Sequence, residues 1–554
     1  MPDIFQSPLL YEVNLPGQYI GGEFGAIVKA KDSVKGRLCF AFPDVYTIGM
    51  SHYGMQLLYH LINSRSDWSC ERAFTPYPDM EAALRKYNIP LYSLETHSPL
   101  SEFDVIGFSL QYELCFTNVL TMLDLGGVPL HCQDRTLADP LIIAGGPSAI
   151  NPEPMADFID LFVIGDGEES LPAICDAWLE LTANVSGGAL SRSEVLLEMA
   201  RRFPFVAVPH LTHESIVRPA IISDLSQYEP PINRIVPLVE CVQDRIGIEI
   251  MRGCPGRCKF CVSTVQKRPI RCRKPEDIAR MAYESCMATG SNEVSLLSLS
   301  TSDYPYFDEL MVLLKEKLQP LNVSISVPSL RVNHQLSSVV TQLTTDRSSG
   351  LTLAPEVALD EMRKRIGKPI TNENLMAGCE TAFTNGFNRV KLYFMCGLPE
   401  ETNDDLDGII ELSYQIWKIG KKIRGKTPTV IANVSNFVPK PHTPWERNGM
   451  ASQYYFLTVH DHLKTRVRRS GVTLKYHSLE TSLLEALLCR GDRRIGGIIE
   501  RAWQLGARLD SWSDYFRGDI WEQASLESGV DVNAIIHSPL PDNAELPWGY
   551  VRFS

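Results

Sequence analysis

The chain has 554 residues, 44% of them hydrophobic and 21% charged, which is enough for two or three domains with separate cores. A formal charge of −13 disfavours coating of nucleic acid by phosphate neutralisation. Neither a basic leader with an apolar stretch nor a run of about 18 apolar residues is present, so the sequence predicts a cytoplasmic protein with no membrane span.

Residues 1–182 read as a Rossmann-like domain, since between 36 and 182 short apolar runs alternate with helical patterns, as in a doubly wound α/β sheet. Strands are predicted at 38–42, 105–110, 141–144 and 161–164, most of them ending in small or turn-forming residues, where a ligand is expected. The segment 183–240 reads as a linker, with Ser186-Gly187-Gly188 and Glu229-Pro230-Pro231 as flexible or turn-rich points and a helix at 192–202. A second βα series follows, with strands predicted at 246–251, 293–299, 323–327, 350–353, 389–395 and 429–434, each trailed by a helical pattern. In the first of these helices Ile278, Met281, Ala282 and Cys286 share a face, Pro275 sits near the start and Gly290 at the end. Six such units predict a partial parallel barrel over 241–447, with its chemistry at the carboxyl ends of the strands. The region 448–554 reads as mainly helical, with 482–505 as its longest helix.

Fourteen cysteines in a chain of this kind read as reduced thiols, so a cluster among them is read first as a metal site. Gly253-Cys254-Pro255-Gly256-Arg257-Cys258-Lys259-Phe260-Cys261 directly follows the first barrel strand. Three closely spaced thiolates suit three irons of a [4Fe–4S] cube and leave the fourth iron open to a non-protein ligand. A zinc site of three cysteines plus a fourth ligand is the alternative; Cys272, eleven residues on, is the nearest further cysteine. The basic stretches Lys267, Arg268, Arg271, Arg273, Lys274, then Lys418, Lys421, Lys422, Arg424, Lys426, and Arg490, Arg493, Arg494 read as solvated faces.

The CxxxCxxC loop with an aromatic before its last cysteine, placed after the first strand of a βα barrel, resembles the radical S-adenosylmethionine (SAM) superfamily. That resemblance implies Cys254, Cys258 and Cys261 as cluster ligands, SAM as cosubstrate, a 5′-deoxyadenosyl radical that abstracts hydrogen, and an external electron donor such as flavodoxin or ferredoxin. It also implies that Ser298, Glu356, Gly397 and Pro399, at later strand ends, line the SAM pocket, with Glu356 at the ribose or ammonium and Gly397 near the adenine. Cys396 reads as a buried apolar residue.

Upstream, Ala144-Gly145-Gly146-Pro147 and the segment from Asp160 to Glu169, with Gly165-Asp166-Gly167 inside it, resemble the cobalamin-binding domain that precedes the barrel in class B radical SAM proteins. Where histidine-ligating domains carry DxHxxG, this chain has Asp44-Val45-Tyr46-Thr47-Ile48-Gly49, and a neutral phenol is a poor cobalt ligand. The resemblance therefore implies cobalamin whose lower face is unligated or takes water, with His52 as a weak substitute and Ser109, Gly145, Gly146 and Gly165 around the nucleotide tail. A nucleotide-binding or empty Rossmann-like domain is the alternative. From Tyr19-Ile20-Gly21-Gly22-Glu23 to Leu546-Pro547-Trp548 the chain resembles a bacterial group that fuses these domains to a helical tail.

The function expected is a cobalamin-dependent radical SAM enzyme that methylates an unactivated carbon of an unknown substrate. Alternatives are a radical rearrangement, cyclisation or oxidation without methyl transfer, an RNA methylthiotransferase-like activity, and an inactive scaffold. Arg490-Gly491-Asp492-Arg493-Arg494 is a candidate phosphate grip. Trp503, Trp512 and Trp548 are read chiefly as core.

Overall fold

The computed structural model describes residues 4–5, 7–183, 190–211, 216–328, 330, 350–467 and 471–553. The chain forms two compact units, one of Met1–Asp244, Leu487–Val532 and Glu545–Ser554, the other of Arg245–Ala486 and Asn533–Ala544. The C-terminal region is shared between the two, Leu487–Val532 and Glu545–Ser554 in the first unit and the rest in the second. No helix among the described residues is long and apolar enough to cross a membrane.

The first unit is built on strands β1 (Gly36–Phe42), β2 (Trp68–Phe74), β3 (Val105–Ser109), β4 (Leu141–Gly145), β5 (Leu161–Val163) and β6 (Val206–Ala207), in the order β2-β1-β3-β4-β5-β6. All pairs are parallel except β5–β6. β1 and β2 are buried along their whole length, as strands covered on both faces must be. The connections switch direction between β1 and β3, so the crevice of this doubly wound sheet opens beyond Phe42 and Ser109.

Residues from the end of the chain meet that edge. The Trp512 indole donates to Asp44 Oδ1 at 2.9 Å, Asn118 joins the Pro43 carbonyl to the Leu509 amide, and Asp510 accepts from Thr117 and Trp521. The expected helix over 482–505 is two, Leu479–Arg490 and Ile495–Gln504. The break falls where Asn151 takes the Cys489 and Gly491 carbonyls and Asp492 accepts from the Arg494 amide. The candidate phosphate grip is engaged within the chain, with Arg493 on Asp157 and Arg494 on Asp492. Trp548 is buried, and Trp503 donates to Thr121.

Beneath the sheet lies a buried ionic group. Arg72, with no exposed side-chain surface, bonds Glu95 at 2.6 Å and Glu23 at 2.8 Å, and the Tyr46 hydroxyl donates to Glu23 at 3.0 Å. Removing the cation would strand two desolvated carboxylates. Arg72→Met is expected to cost about 3–5 kcal/mol of stability, read as a lower midpoint in denaturant unfolding followed by circular dichroism.

The second unit carries β7 (Ile246–Glu249), β8 (Met251–Arg252), β9 (Arg271–Cys272), β10 (Glu293–Leu297), β11 (Ser324–Ser326), β12 (Gly350–Glu356), β13 (Arg389–Cys396), β14 (Thr429–Asn436) and β15 (Val472–Tyr476). They form the parallel sheets β11-β10-β7 and β12-β13-β14-β15 and the antiparallel ribbon β8-β9. A parallel bridge between Leu330 and Leu353 runs in the same sense as both sheets. β15 falls in the region read as helical; its short alternating pattern is flanked by helices on both sides. The helices Pro275–Thr289, Phe307–Leu318, Asn372–Thr384 and Asn403–Arg424 alternate with the strands, the first starting at Pro275 and capped by left-handed Gly290. The helix expected after β11 and the flexible point at 186–188 lie outside the described residues.

Candidate active site

The cysteine loop is a closed excursion of the second unit. The β8-β9 ribbon pairs Met251 with Cys272 and Arg252 with Arg271, clasping the loop at its base. Gly253 turns into the loop at φ +99°, where a Cβ would lie 2.6 Å from the Lys267 carbonyl oxygen. At the far side the loop rests on a second turn. The Lys259 amide donates to the Ile366 carbonyl at 2.9 Å, and left-handed Gly367 comes so close that a Cβ would sit 2.5 Å from the Arg257 carbonyl oxygen. Arg268 reaches back to the Gly256 and Thr264 carbonyls.

Phe260 packs against the apolar cluster of Val357, Met362, Ile366, Leu398 and Phe437, of which Val357, Leu398 and Phe437 stand just beyond the ends of β12, β13 and β14. One apolar cluster thus ties the cysteine loop to three strand ends. All fourteen cysteines are free thiols. Cys258 is buried, Cys254 and Cys261 are half-buried, and the Gly256 amide donates to Cys254 Sγ at 3.4 Å. Burial, with the Cys254 thiol and the Glu356 carboxylate nearby, raises the Cys261 pKa against the opposing pull of the Thr264 and Ser263 amides.

Among the described residues no three His, Cys, Asp or Glu side chains converge on a point fit for one metal ion. A cube makes a different demand, since it presents a separate iron to each thiolate. The donor set here, three reduced thiols on one loop with an amide directed at one sulfur, fits that group. Cys272 lies outside the loop, in the ribbon, where it pairs with Met251.

Around the loop the charge is positive. No Asp or Glu occurs from 250 to 275. Burial alone would raise Glu249, yet the bonds from Arg252 at 2.8 and 2.9 Å and the charges of Arg252, Arg273 and Lys267 hold it below the usual carboxylate range. Arg271 and Arg273 are buried, which corrects the reading of this stretch as a solvated face.

The other expected SAM-pocket residues lie at strand ends of this unit. Ser298, just past β10, shares a 2.8 Å hydrogen bond with Thr301. Glu356 closes β12 after a register shift, in the left-handed conformation at φ +66°, and its Oε1 accepts from Lys368 Nζ at 2.7 Å. Gly397 follows β13 at φ +82°, and a Cβ there would lie 2.6 Å from the Phe456 ring, so packing already requires glycine. Pro399, in the next turn, is half-buried, and Cys396 is fully buried. Sequence patterns left two partners unmarked: Lys368, and Tyr455, whose hydroxyl donates to Glu401 at 2.6 Å. Burial raises Glu401 to about 7 in spite of the Tyr455 and Gly397 bonds.

In the first unit the expected cobalamin residues sit at the carboxyl edge or just behind it. Asp44 is held by Trp512, and burial raises its pKa. Tyr46 is committed to Glu23, and a Cβ on Gly49 would strike the Phe74 ring at 2.2 Å. His52 Nδ1 accepts the Met55 amide as a helix cap. Ser109 accepts from Gln111 at 2.6 Å; Gly146 and Gly165, both left-handed, abut the Leu110 and Ala220 backbones. Gly145 is more open, its nearest neighbour the Val163 carbonyl oxygen at 3.4 Å. The donor chemistry between Asp44 and His52 therefore fits cobalamin only without a cobalt bond from Tyr46; Gly145 offers an open backbone edge.

Residues 54–209 match the family described as radical SAM proteins, N-terminal, and residues 248–413 match the radical SAM superfamily. Both matches are to radical SAM families, so the chain carries radical SAM domains. It is 28% identical over 426 residues, 75% of this chain and 84% of the other, to an uncharacterized protein of Methanocaldococcus jannaschii. A shorter match, 24% over 135 residues, covers 23% of this chain and 28% of a tRNA-2-methylthio-N(6)-dimethylallyladenosine synthase of Caldicellulosiruptor saccharolyticus. In fold it is similar to the radical SAM methyltransferase TsrM of Kitasatospora setae, solved with cobalamin and a [4Fe–4S] cluster, at TM-score 0.54 and 13% identity over 75% of this chain and 77% of TsrM.

Substitution at the two loop contacts tests the fit. Gly253→Ala and Gly367→Ala are expected to lower the iron bound after anaerobic reconstitution by at least about half, since each forces a Cβ into backbone at positive φ. Gly290→Ala, equally left-handed but with nothing within 4 Å, is expected to retain iron. A second expectation concerns pH. A carboxyl whose folded pKa is raised favours the folded state at low pH and loses that contribution as pH rises from the usual carboxylate range to about 7. Glu401→Gln should flatten that part of the profile of melting temperature against pH.

Proposed function

We propose that this enzyme cleaves SAM reductively at a [4Fe–4S] cluster held by Cys254, Cys258 and Cys261, and that the radical formed acts on a substrate at the carboxyl edge of the second unit. The observation that carries the reading is the cysteine loop itself, three reduced thiols packed through Phe260 onto the ends of β12, β13 and β14. When bound, the cluster supplies one electron to the SAM sulfonium, giving methionine and a 5′-deoxyadenosyl radical. The chain's own residues bind and orient: Ser298, Glu356, Gly397 and Pro399 line the SAM pocket, while the Phe260 cluster keeps water from the strand ends. The electron comes from an external carrier of the flavodoxin or ferredoxin kind.

On the first unit we place cobalamin, against Asp44, Tyr46, Gly49, Ser109, Gly145, Gly146 and Gly165, and methylation of an unactivated carbon as the outcome. The fold likeness to TsrM supports this reading. Bound cobalamin would supply a methyl carrier. A second reading, sulfur insertion into RNA, draws on the 135-residue match to the tRNA-modifying synthase. Against it, Cys39, Cys70, Cys115, Cys132 and Cys175 of the first unit are all buried thiols whose pKa burial raises.

The test is anaerobic purification, reconstitution with iron, sulfide and hydroxocobalamin, and measurement of the ultraviolet–visible spectrum with bound iron, sulfide and cobalt. The expected result is about four irons per chain, stoichiometric cobalt, and loss of the cluster absorption in the Cys254→Ala/Cys258→Ala/Cys261→Ala variant. Iron without cobalt would remove cobalamin and methyl transfer from the proposal. No cluster in the wild type would overturn it.

A further inference from the structure

Glu356 is held in a conformation that few residues adopt. Its φ of +66° is left-handed, it follows a register shift between β12 and β13, and it stands next to Val357, a member of the apolar cluster on which Phe260 of the cysteine loop packs. Such a conformation persists where the surroundings over-determine it. Lys368 does so from two directions. Its ammonium donates to the Ala354 carbonyl at 2.6 Å, ahead of the strained residue, and to Oε1 of the strained residue's own side chain at 2.7 Å. Lys368 is itself almost fully buried, at 8% exposure, and its amide donates to the Arg363 carbonyl. Arg363, with no exposed side-chain surface, holds the Val357 carbonyl and Asp360, so the whole return from β12 is braced.

The residue before Lys368 is Gly367, and the one before that Ile366. These two make the contacts with Arg257 and Lys259 on either side of Cys258. The turn over 366–368 therefore touches the cysteine loop with its first two residues and the Glu356 carboxylate with its third.

We propose that Lys368 is a positioning residue that fixes the Glu356 carboxylate in register with the cysteine loop and offsets its negative charge there. The inference rests on the proposed assignment of the cysteine loop to a cluster and of Glu356 to SAM. A carboxylate so held presents Oε2 to a ligand while Oε1 stays with the lysine. Without the ammonium, an uncompensated negative charge would stand beside the cluster and oppose its reduction.

The experiment uses the full chain, reconstituted anaerobically, as wild type, Lys368→Met, Lys368→Arg, Glu356→Gln and the Lys368→Met/Glu356→Gln double variant. SAM affinity is read by equilibrium dialysis and the cluster midpoint potential by redox titration. Glu356→Gln and Lys368→Met are each expected to weaken SAM binding about tenfold, the order expected for one charge-assisted hydrogen bond. Their potentials are expected to move in opposite directions, lower than wild type for Lys368→Met and higher for Glu356→Gln, and to cancel in the double variant. Lys368→Arg, which keeps the charge, should retain the wild-type potential and part of the affinity. Iron content and thermal melting report whether each variant is folded; should Lys368→Met lose iron, Lys368→Gln takes its place in the same comparison. Unchanged affinity and potential in a folded Lys368→Met, with Glu356→Gln impaired, would overturn the inference and leave the proposed function standing. Unchanged SAM affinity in Glu356→Gln would instead remove Glu356 from the SAM site.

Discussion

Parallel pairing gives every strand of a sheet the same direction, and in the second unit that constraint decides where chemistry can occur. β7, β10, β12, β13 and β14 all stop at one edge of their sheets, so residues far apart in sequence arrive there together. The edge is a place where backbone hydrogen bonding ends and side chains must take over. Glu249 answers with Arg252, Ser298 with Thr301, Glu356 with Lys368, and the Gly397 amide with Glu401. The cysteine loop joins this series through Phe260, whose ring belongs to the same apolar cluster as Leu398 and Phe437.

The elements most legible in the sequence are those specified locally. The βα alternation, Pro275 at a helix start, Gly290 at its end and the CxxxCxxC loop each depend on a few adjacent residues. The chemistry class was legible for the same reason. What could not be read depends on distant partners. Nothing near Tyr46 marks Glu23 as its acceptor, nothing near Trp512 marks Asp44, and the lysine that meets Glu356 lies twelve residues on, beyond a helix. Such pairs have no period and no spacing. β15 was missed for a related cause, since five residues of alternation between two helices carry little signal against their surroundings.

Buried charge is handled alike in both units. Arg72 between Glu23 and Glu95, Asp160 between Arg135 and Arg192, and Lys368 beside Glu356 are each paired inside the fold rather than at its surface. Desolvated ions contribute little net stability when paired and cost several kcal/mol when a partner is missing. They act as locks on one arrangement of the surrounding segments. In the first unit the locked segments include the edge that carries Tyr46, and in the second the return from β12.

The sequence order of the first unit has a consequence for synthesis. Its sheet lies within the first 244 residues, but Leu509, Asp510 and Trp512, which satisfy Asn118, Thr117 and Asp44, are translated only after residues 245–486 of the second unit. At roughly 5–20 residues per second that gap is on the order of tens of seconds. Throughout it the nascent chain lacks these partners, and the edge that carries Asp44 and Asn118 stays unfinished until they have been made. Expression at low temperature or with slow codons ahead of Leu487 lengthens that window, and a holdase that covers hydrophobic edges shields it.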